Sequence, residues 1–327
     1  MAKTNGHVSV LPAETLESLV PRERRSLPLR IIDGTVGLGG HSRLILESCP
    51  RAELLGIDRD ESALAVSRER LAFAKDRVHL FHGVFSDMER FASDLNWSGV
   101  DGILLDIGVS SPQIDDPARG FSWRSDGPLD MRMDPTRGRT AAELLQNADE
   151  KTLAAIFRDY GEIAESRKLA RAVIERRAAS PFRTCGDFAS LCDRILPKNG
   201  RSGPPSPTLP FQALRIAVND ELGELERALK ASLRLLNPQG RLCVISFHSL
   251  EDRIVKHFFQ EMAVECKCPP GCPVCICGWT PKLKIVTKKP VEASETERES
   301  NTRSRCARLR AAERCAEKGQ DNQETKQ

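Results

Sequence analysis

Residues 30–36, 52–57, 77–82 and 100–105 are short runs rich in Ile, Leu, Val and Phe, closed by glycine or charged residues. Between the first three, residues 41–48 and 60–74 carry apolar positions at helical spacing. Continuous apolar runs separated by amphipathic segments predict buried parallel strands joined by crossover helices. The expected fold class is α/β, built on a Rossmann-like sheet.

After residue 139 the pattern changes. Leu153, Ile156, Phe157, Ile163, Leu169 and Ile174 keep helical spacing, and no strand pattern interrupts them. This predicts a small all-helical domain inserted at 140–210, ending at LPKNGRSGPPSPTLP, whose prolines and glycines oppose regular structure. Leu214, Val218, Leu222, Leu225, Leu229 and Leu236 then predict one long amphipathic helix. Asn237-Pro238-Gln239-Gly240 should stop it, and Arg241–Ser246 returns to strand. Segments 1–139 and 211–327 would thus form one discontinuous domain. The final EKGQDNQETKQ is polar enough to stay disordered.

With 327 residues, 40% of them hydrophobic, the chain can bury a large core. No apolar run approaches the ~18 residues that mark a membrane helix, and MAKTNGHVSV lacks the apolar centre of a signal peptide. Eleven cysteines, partly scattered, fit reduced cytoplasmic thiols better than a disulfide framework. A net charge of +3 does not identify a nucleic-acid binder. Distribution adds something: Arg119, Arg124, Arg132, Arg137 and Arg139 crowd one segment, and Arg303, Arg305, Arg308 and Arg310 another. Such runs are more often solvated faces than RNA contacts.

Chemistry concentrates where strands end. In DGILLDIGVSSPQ, Asp106 closes an apolar run and meets small residues at once. In open α/β sheets, ligands sit at the carboxyl ends of strands. IIDGTVGLGGHS supplies a glycine turn before a helix, and LLGIDRDESAL puts Asp58 at the next strand end, where an acid can grip ribose hydroxyls. The glycines read G-x-G-G-H-S, with Ser42 where a dinucleotide fingerprint has its third glycine. That departure, with Asp33 and Asp106, favours S-adenosylmethionine over a nicotinamide cofactor.

DGTVGLGGHS, GIDRDESAL, FHGVFSDM, DGILLDIGVSSPQIDDPARGFSWRSDGPLDMRMDPTRGRTAAELL, FQALRIAVNDEL and VISFHSLEDRIVKHFF together closely resemble the RsmH/MraW family. The resemblance runs from about His7 to the RSRCARLRAAER segment. It implies a class I fold and methyl transfer from S-adenosylmethionine to N4 of a cytosine in the decoding centre of 16S ribosomal RNA, within the small (30S) subunit. It leaves homodimerisation open. By family position, Gly39, Gly40, His41, Asp58, Phe85, Asp106 and Gln113 are the expected cofactor contacts. Read without the family, His41 is a capping imidazole, Phe85 plain core and Gln113 a surface loop residue.

Cytosine N4 is a poor nucleophile because its lone pair is delocalised into the ring. Its hydrogens must be accepted and its approach aimed. Many amino-methyltransferases use (D/N)-P-P-(Y/F) after the fourth strand; this chain has Asp106-Ile107-Gly108-Val109. The Asp106 carboxylate and Ile107 carbonyl are the expected acceptors, and Phe121 or Trp123 the expected stacking aromatic. His248 in SFHSLEDR is a second catalytic candidate, with a structural histidine as the alternative. Asp130, Arg132 and Asp134 fit either RNA contact or a role in holding their own loop. Where the family carries His-Pro-Ala-Thr-Arg-Thr before FQALRI, this chain reads PPSPTLP, which leaves a catalytically idle assembly factor as the rival reading.

Cys266, Cys268, Cys275 and Cys277 form two C-x-C pairs around a proline-glycine turn, a set able to wrap a structural zinc. Cys272 adds a fifth thiol. The bland alternative is free thiols in a loop.

Overall fold

A computed structural model describes residues 9–197, 204–269 and 274–316. Helix α1 (Pro12–Leu19) leads into β1 (Arg30–Asp33), α2 (Gly40–Ser48), β2 (Glu53–Asp58), α3 (Glu61–Arg70), β3 (Val78–His82), α4 (Met88–Asp94) and β4 (Val100–Asp106). Then come α5 (Ser111–Asp115), α6 (Ala141–Asn147), α7 (Glu150–Asp159), α8 (Ser166–Ala179), α9 (Cys185–Ile195) and α10 (Thr208–Asn219). The chain continues through α11 (Glu221–Leu235), β5 (Leu236–Ser246), α12 (Ser249–Ala263), β6 (Leu283–Ile285), α13 (Glu295–Ser300) and β7 (Arg308–Arg314).

The seven strands form one sheet in the order β3-β2-β1-β4-β5-β7-β6. Strands β3 to β5 are parallel, and β7 runs antiparallel between β5 and β6. Successive strand residues alternate between two apolar layers, as the pleat requires. Ile32, Leu55, Ile57, Ile103 and Leu105 face a layer holding Phe91, Leu225, Leu229, Val255 and Phe259. Ile31, Leu54, Leu104, Cys243 and Ile245 face the layer of Leu16, Leu19, Ile45 and Leu64. Strands covered on both faces explain the continuous apolar runs. The fold is the expected Rossmann-like α/β class.

Two compact units divide the chain: Met1–Gly108 with Glu224–Gln327, and Val109–Gly223. The second is wider than the expected 140–210 insertion. Residues ahead of 140 join its core: Leu129 and Met131 pack with Leu153, Phe157, Phe188 and Leu214. Leu129 N–H also donates to the Arg183 carbonyl, and Cys185 N–H to that of Gly127.

The single helix expected across 214–236 is two. Asp220 takes a left-handed conformation (φ 48°) between α10 and α11. Leu214 belongs to the helical core, whereas Leu225 and Leu229 belong to the sheet core. One apolar stripe thus serves two cores, so its spacing continues through the break. The stop at 237–240 also differs. β5 begins at Leu236 opposite Val100 and resumes at Arg241 opposite Gly102, with the NPQG residues as an irregularity in the strand. Glycine 203, Lys198 and their neighbours, Cys272 and the EKGQDNQETKQ tail beyond Ala316 lie outside the described residues.

Candidate functional site

The parallel strands deliver Asp33, Asp58 and Asp106 to one edge of the sheet, at the ends of β1, β2 and β4. The turn after β1 is glycine for a steric reason. Gly39 has φ 78°, and a Cβ added to Gly40 would sit 2.1 Å from Ser9 Oγ. Ser67 Oγ donates to the Gly37 carbonyl at 2.6 Å, and Arg70 Nη1 to that of Leu38 at 3.1 Å, fixing the turn.

Asp58 faces this turn. Its carboxylate accepts the Gly37 N–H at 2.8 Å and the Asp60 N–H at 2.9 Å. Burial is the largest influence on it and outweighs those N–H groups, so its pKa is raised to about 6. Asp33 accepts Ser42 Oγ at 2.6 Å and the Thr35 N–H at 3.2 Å. Burial pushes it up as well, against the partial relief from Ser42 and His41.

His41, on the first turn of α2, puts Nε2 3.5 Å from Asp106 Oδ2. That is ion-pair range without hydrogen-bond alignment. Burial works against its proton most strongly, but Asp106, then Asp33 and Glu297, more than offset this and its pKa is raised. Thr35 Oγ1 accepts the Asp106 N–H at 2.7 Å. Among the described residues, His41 Nε2 and Asp106 Oδ1 are buried without a hydrogen-bond partner. Unpartnered buried polar atoms beside a turn that admits close approach are what a ligand with its own donors and acceptors would complete. The acidic set suits a cation bearing hydroxyl donors, such as S-adenosylmethionine, better than a pyrophosphate. The residues fit that cofactor.

Phe85 begins the short turn after β3 and is buried, with the Arg59 guanidinium 5.9 Å from its ring centre. It packs beside Gly34, whose added Cβ would come within 2.9 Å of the Phe85 Cβ. Gln113 lies in the other compact unit. It is buried in α5, where its Oε1 accepts the Ser110 N–H at 2.9 Å as half of a capping box. The structure therefore brings Gly39, Gly40, His41, Asp58, Phe85 and Asp106 to one unit's strand ends and gives Gln113 a local partner in the other.

His248 follows β5 at the same sheet edge as the N-cap of α12. Glu251 Oε2 accepts the N–H groups of Phe247 and His248, and His248 Nε2 lies 3.0 Å from Glu251 Oε1. The capping fits the structural alternative, while His248 Nε2, like His41 Nε2, is buried without a hydrogen-bond partner among the described residues. The sequence offered no signal for Glu297, which touches the site's electrostatics from far along the chain and accepts the Leu11 N–H at 2.8 Å. Thr35 was equally silent.

The arginine-rich segments divide. Arg132 forms a two-bond ion pair with Asp130 at 2.8 Å each, and Asp134 accepts from Thr136. Arg119 donates to the carbonyls of Arg132 and Met133. These residues hold their own loop. Arg310 is buried, with Nε 2.6 Å from Asp252 Oδ1 and Nη2 3.0 Å from Oδ2. Arg124, Arg137 and Arg139 are exposed. Phe121 and Trp123 are partly buried against the helical core, under Arg119 and Arg124 respectively. A polar pocket lined by Asp126, Arg176, Asp187 and Arg194 also lies in the helical unit and contains none of the expected site residues.

The sulfurs of Cys266, Cys268, Cys275 and Cys277 all lie within 4.8 Å of one another. No helix among the described residues is long and apolar enough to cross a membrane.

Comparison with known proteins adds to this geometry. The ribosomal RNA small subunit methyltransferase H of Heliobacterium modesticaldum is 48% identical over 312 residues, covering 94% of this chain and 98% of that protein. The protein of the same name from Geobacter sulfurreducens is 47% identical, covering 95% and 99%. A solved rRNA methylase from Streptococcus thermophilus superposes with a TM-score of 0.40 at 8% identity, covering 93% of each chain. The model described as the MraW methylase family matches residues 4–315. Matched over nearly its whole length, the chain belongs to the MraW methylase family.

Proposed function

We propose that the protein methylates 16S ribosomal RNA in the small (30S) subunit, transferring the methyl group of S-adenosylmethionine to N4 of cytosine 1402 in the decoding centre. The observation carrying this reading is the set of strand-end carboxylates around a left-handed glycine turn, with His41 Nε2 and Asp106 Oδ1 buried without a hydrogen-bond partner among the described residues. The shared name of the relatives supports the RNA substrate. That substrate would put the reaction in the cytoplasm.

Bound at this turn, S-adenosylmethionine supplies an electrophilic methyl on a sulfonium sulfur. Asp58 would accept its ribose hydroxyls, Gly39 and Gly40 would admit close approach of the backbone, and Phe85 would pack at the adenine side. Asp106 Oδ1 accepts one hydrogen of the cytosine amine and the Ile107 carbonyl the other, which aims the nitrogen lone pair at the methyl. The target base must leave its stack to reach these acceptors. In the helical unit, which we assign to substrate recognition, α8 exposes Arg167, Lys168 and Arg171, and the segment between α5 and α6 exposes Arg124, Arg137 and Arg139. Such side chains suit phosphate contacts.

Small subunits from a strain lacking the endogenous enzyme, incubated with protein and methyl-labelled S-adenosylmethionine, test the reading. Label should appear as N4-methylcytosine after nuclease digestion. Cofactor binding without transfer would leave the idle assembly factor, and tighter binding of a nicotinamide cofactor would remove both.

A further inference from the structure

We infer that Cys266, Cys268, Cys275 and Cys277 form a mononuclear, tetrahedral zinc site that closes the connection between α12 and β6. This inference is independent of the methyl-transfer site.

The sulfur separations carry it. Cys266 to Cys275 is 3.4 Å, Cys275 to Cys277 3.5 Å, Cys266 to Cys277 3.8 Å and Cys268 to Cys275 3.9 Å. A tetrahedron with zinc–sulfur bonds of about 2.3 Å has edges of about 3.8 Å. A disulfide would hold its sulfurs at about 2.0 Å, so none of these pairs is bonded. Polynuclear iron–sulfur clusters hang their cysteines on different irons, which spreads the sulfurs wider than a single ion does. One ion fits this cage.

The backbone is arranged for thiolates. Lys267 N–H donates to Cys277 Sγ at 3.4 Å, Cys268 N–H to Cys266 Sγ at 3.3 Å, and Ile276 N–H to Cys268 Sγ at 3.3 Å. N–H donation favours the deprotonated sulfur that a metal requires. Each C-x-C pair thereby curls back on its partner pair.

Packing offers no rival explanation. Val274 is 70% exposed and Ile276 82% exposed, so among the described residues no apolar core gathers the four thiols. Segments too small for a core are held by disulfides or metals. Below the cage the chain is knitted: Trp279 Nε1 donates to the Val264 carbonyl at 2.8 Å, and Lys267 Nζ lies 3.8 Å from the Trp279 ring centre. Lys282 N–H also reaches the Met262 carbonyl at 2.8 Å, just before β6.

Elemental analysis of the full-length protein from zinc-replete culture should find about one zinc per chain. The double variant Cys266→Ser/Cys277→Ser should retain roughly a tenth or less, while Cys306→Ser, an exposed thiol outside the cage, keeps the full amount. Should the double variant fail to fold by circular dichroism, cobalt exchange into the wild type decides. Sulfur-to-cobalt charge transfer with tetrahedral d–d bands supports the site. Wild-type protein that holds no zinc and takes up neither zinc nor cobalt under reducing conditions overturns it. So does stoichiometric iron in place of zinc, or zinc retained by a folded double variant.

Discussion

The parallel half of the sheet and its antiparallel edge both hold buried or half-buried carboxylates, and they treat them in opposite ways. Beside β7, Asp252 is gripped by both nitrogens of the Arg310 fork, with Arg308 3.3 Å away. Burial alone would raise its pKa, but the arginines overcome this and hold it below the usual carboxylate range. At the ends of β1 and β2, Asp33 and Asp58 have hydroxyl and backbone N–H partners instead, and burial prevails. The first arrangement is electrostatically complete within the protein. The second leaves its carboxylates on hydroxyl and backbone N–H partners alone, and perturbed carboxylates of this kind mark functional sites.

Breaking the complete pair should produce the largest effect. Arg310→Ala leaves Asp252 buried with a weaker partner, and losing one side of a buried pair costs about 3–5 kcal/mol. Denaturant titration should show that loss while the glycine-turn site of any folded fraction stays intact. The sign with pH follows from the lowered pKa. Wild-type stability from this pair is present above the ordinary aspartate range and is lost as pH falls through the lowered folded value. The variant should lack that acid limb. An unchanged acid limb would assign Asp252 no special role.

Asp106→Asn tests the other arrangement. It keeps the shape and one side-chain oxygen but removes the charge. If Asp106 chiefly orients the amine, single-turnover methylation should fall on the order of 100-fold with cofactor affinity nearly unchanged. Loss of affinity with recovered turnover at saturating cofactor would make Asp106 a binding residue. Wild-type values for both would remove it from the mechanism.

The same contrast explains what was readable in the sequence. Asp33, Asp58 and Asp106 were legible because parallel strands announce themselves as apolar runs, and the residue ending each run is local information. Arg308 and Arg310 were not. As a charge cluster they resemble a nucleic-acid patch, and only the pairing of β7 against β5 brings them to Asp252. Asp130, Arg132 and Asp134 stayed ambiguous for the same reason. The helix break at Asp220 was hidden because apolar spacing records burial without recording which core does the burying. His248 was legible as a residue after a strand, while its capping of α12 through Glu251 depends on backbone geometry.

Asp58 gives the smallest and sharpest test. Removing one hydrogen bond to a charged acceptor typically costs about 1.5–3 kcal/mol, so Asp58→Ala should weaken S-adenosylmethionine roughly tenfold to a hundredfold. pH refines the expectation. Ribose hydroxyls donate best to the ionised carboxylate, so binding should draw its pKa down from about 6. Affinity should then be level above that value and decline as pH falls through it. His41 also titrates, its pKa raised against the opposing effect of burial by Asp106, so Asp58→Asn should erase the limb near 6 and leave any limb due to His41. Unligated stability has the opposite sense: a raised carboxyl favours the fold below the ordinary value of 3.8 and loses that contribution as pH rises through about 6. Asp58→Asn, which retains an acceptor for one of the two N–H groups, should therefore weaken the cofactor without destabilising the free protein near neutral pH. Calorimetry across this range, paired with thermal melts, reads both, and a wild-type affinity flat through pH 6 would detach Asp58 from the cofactor.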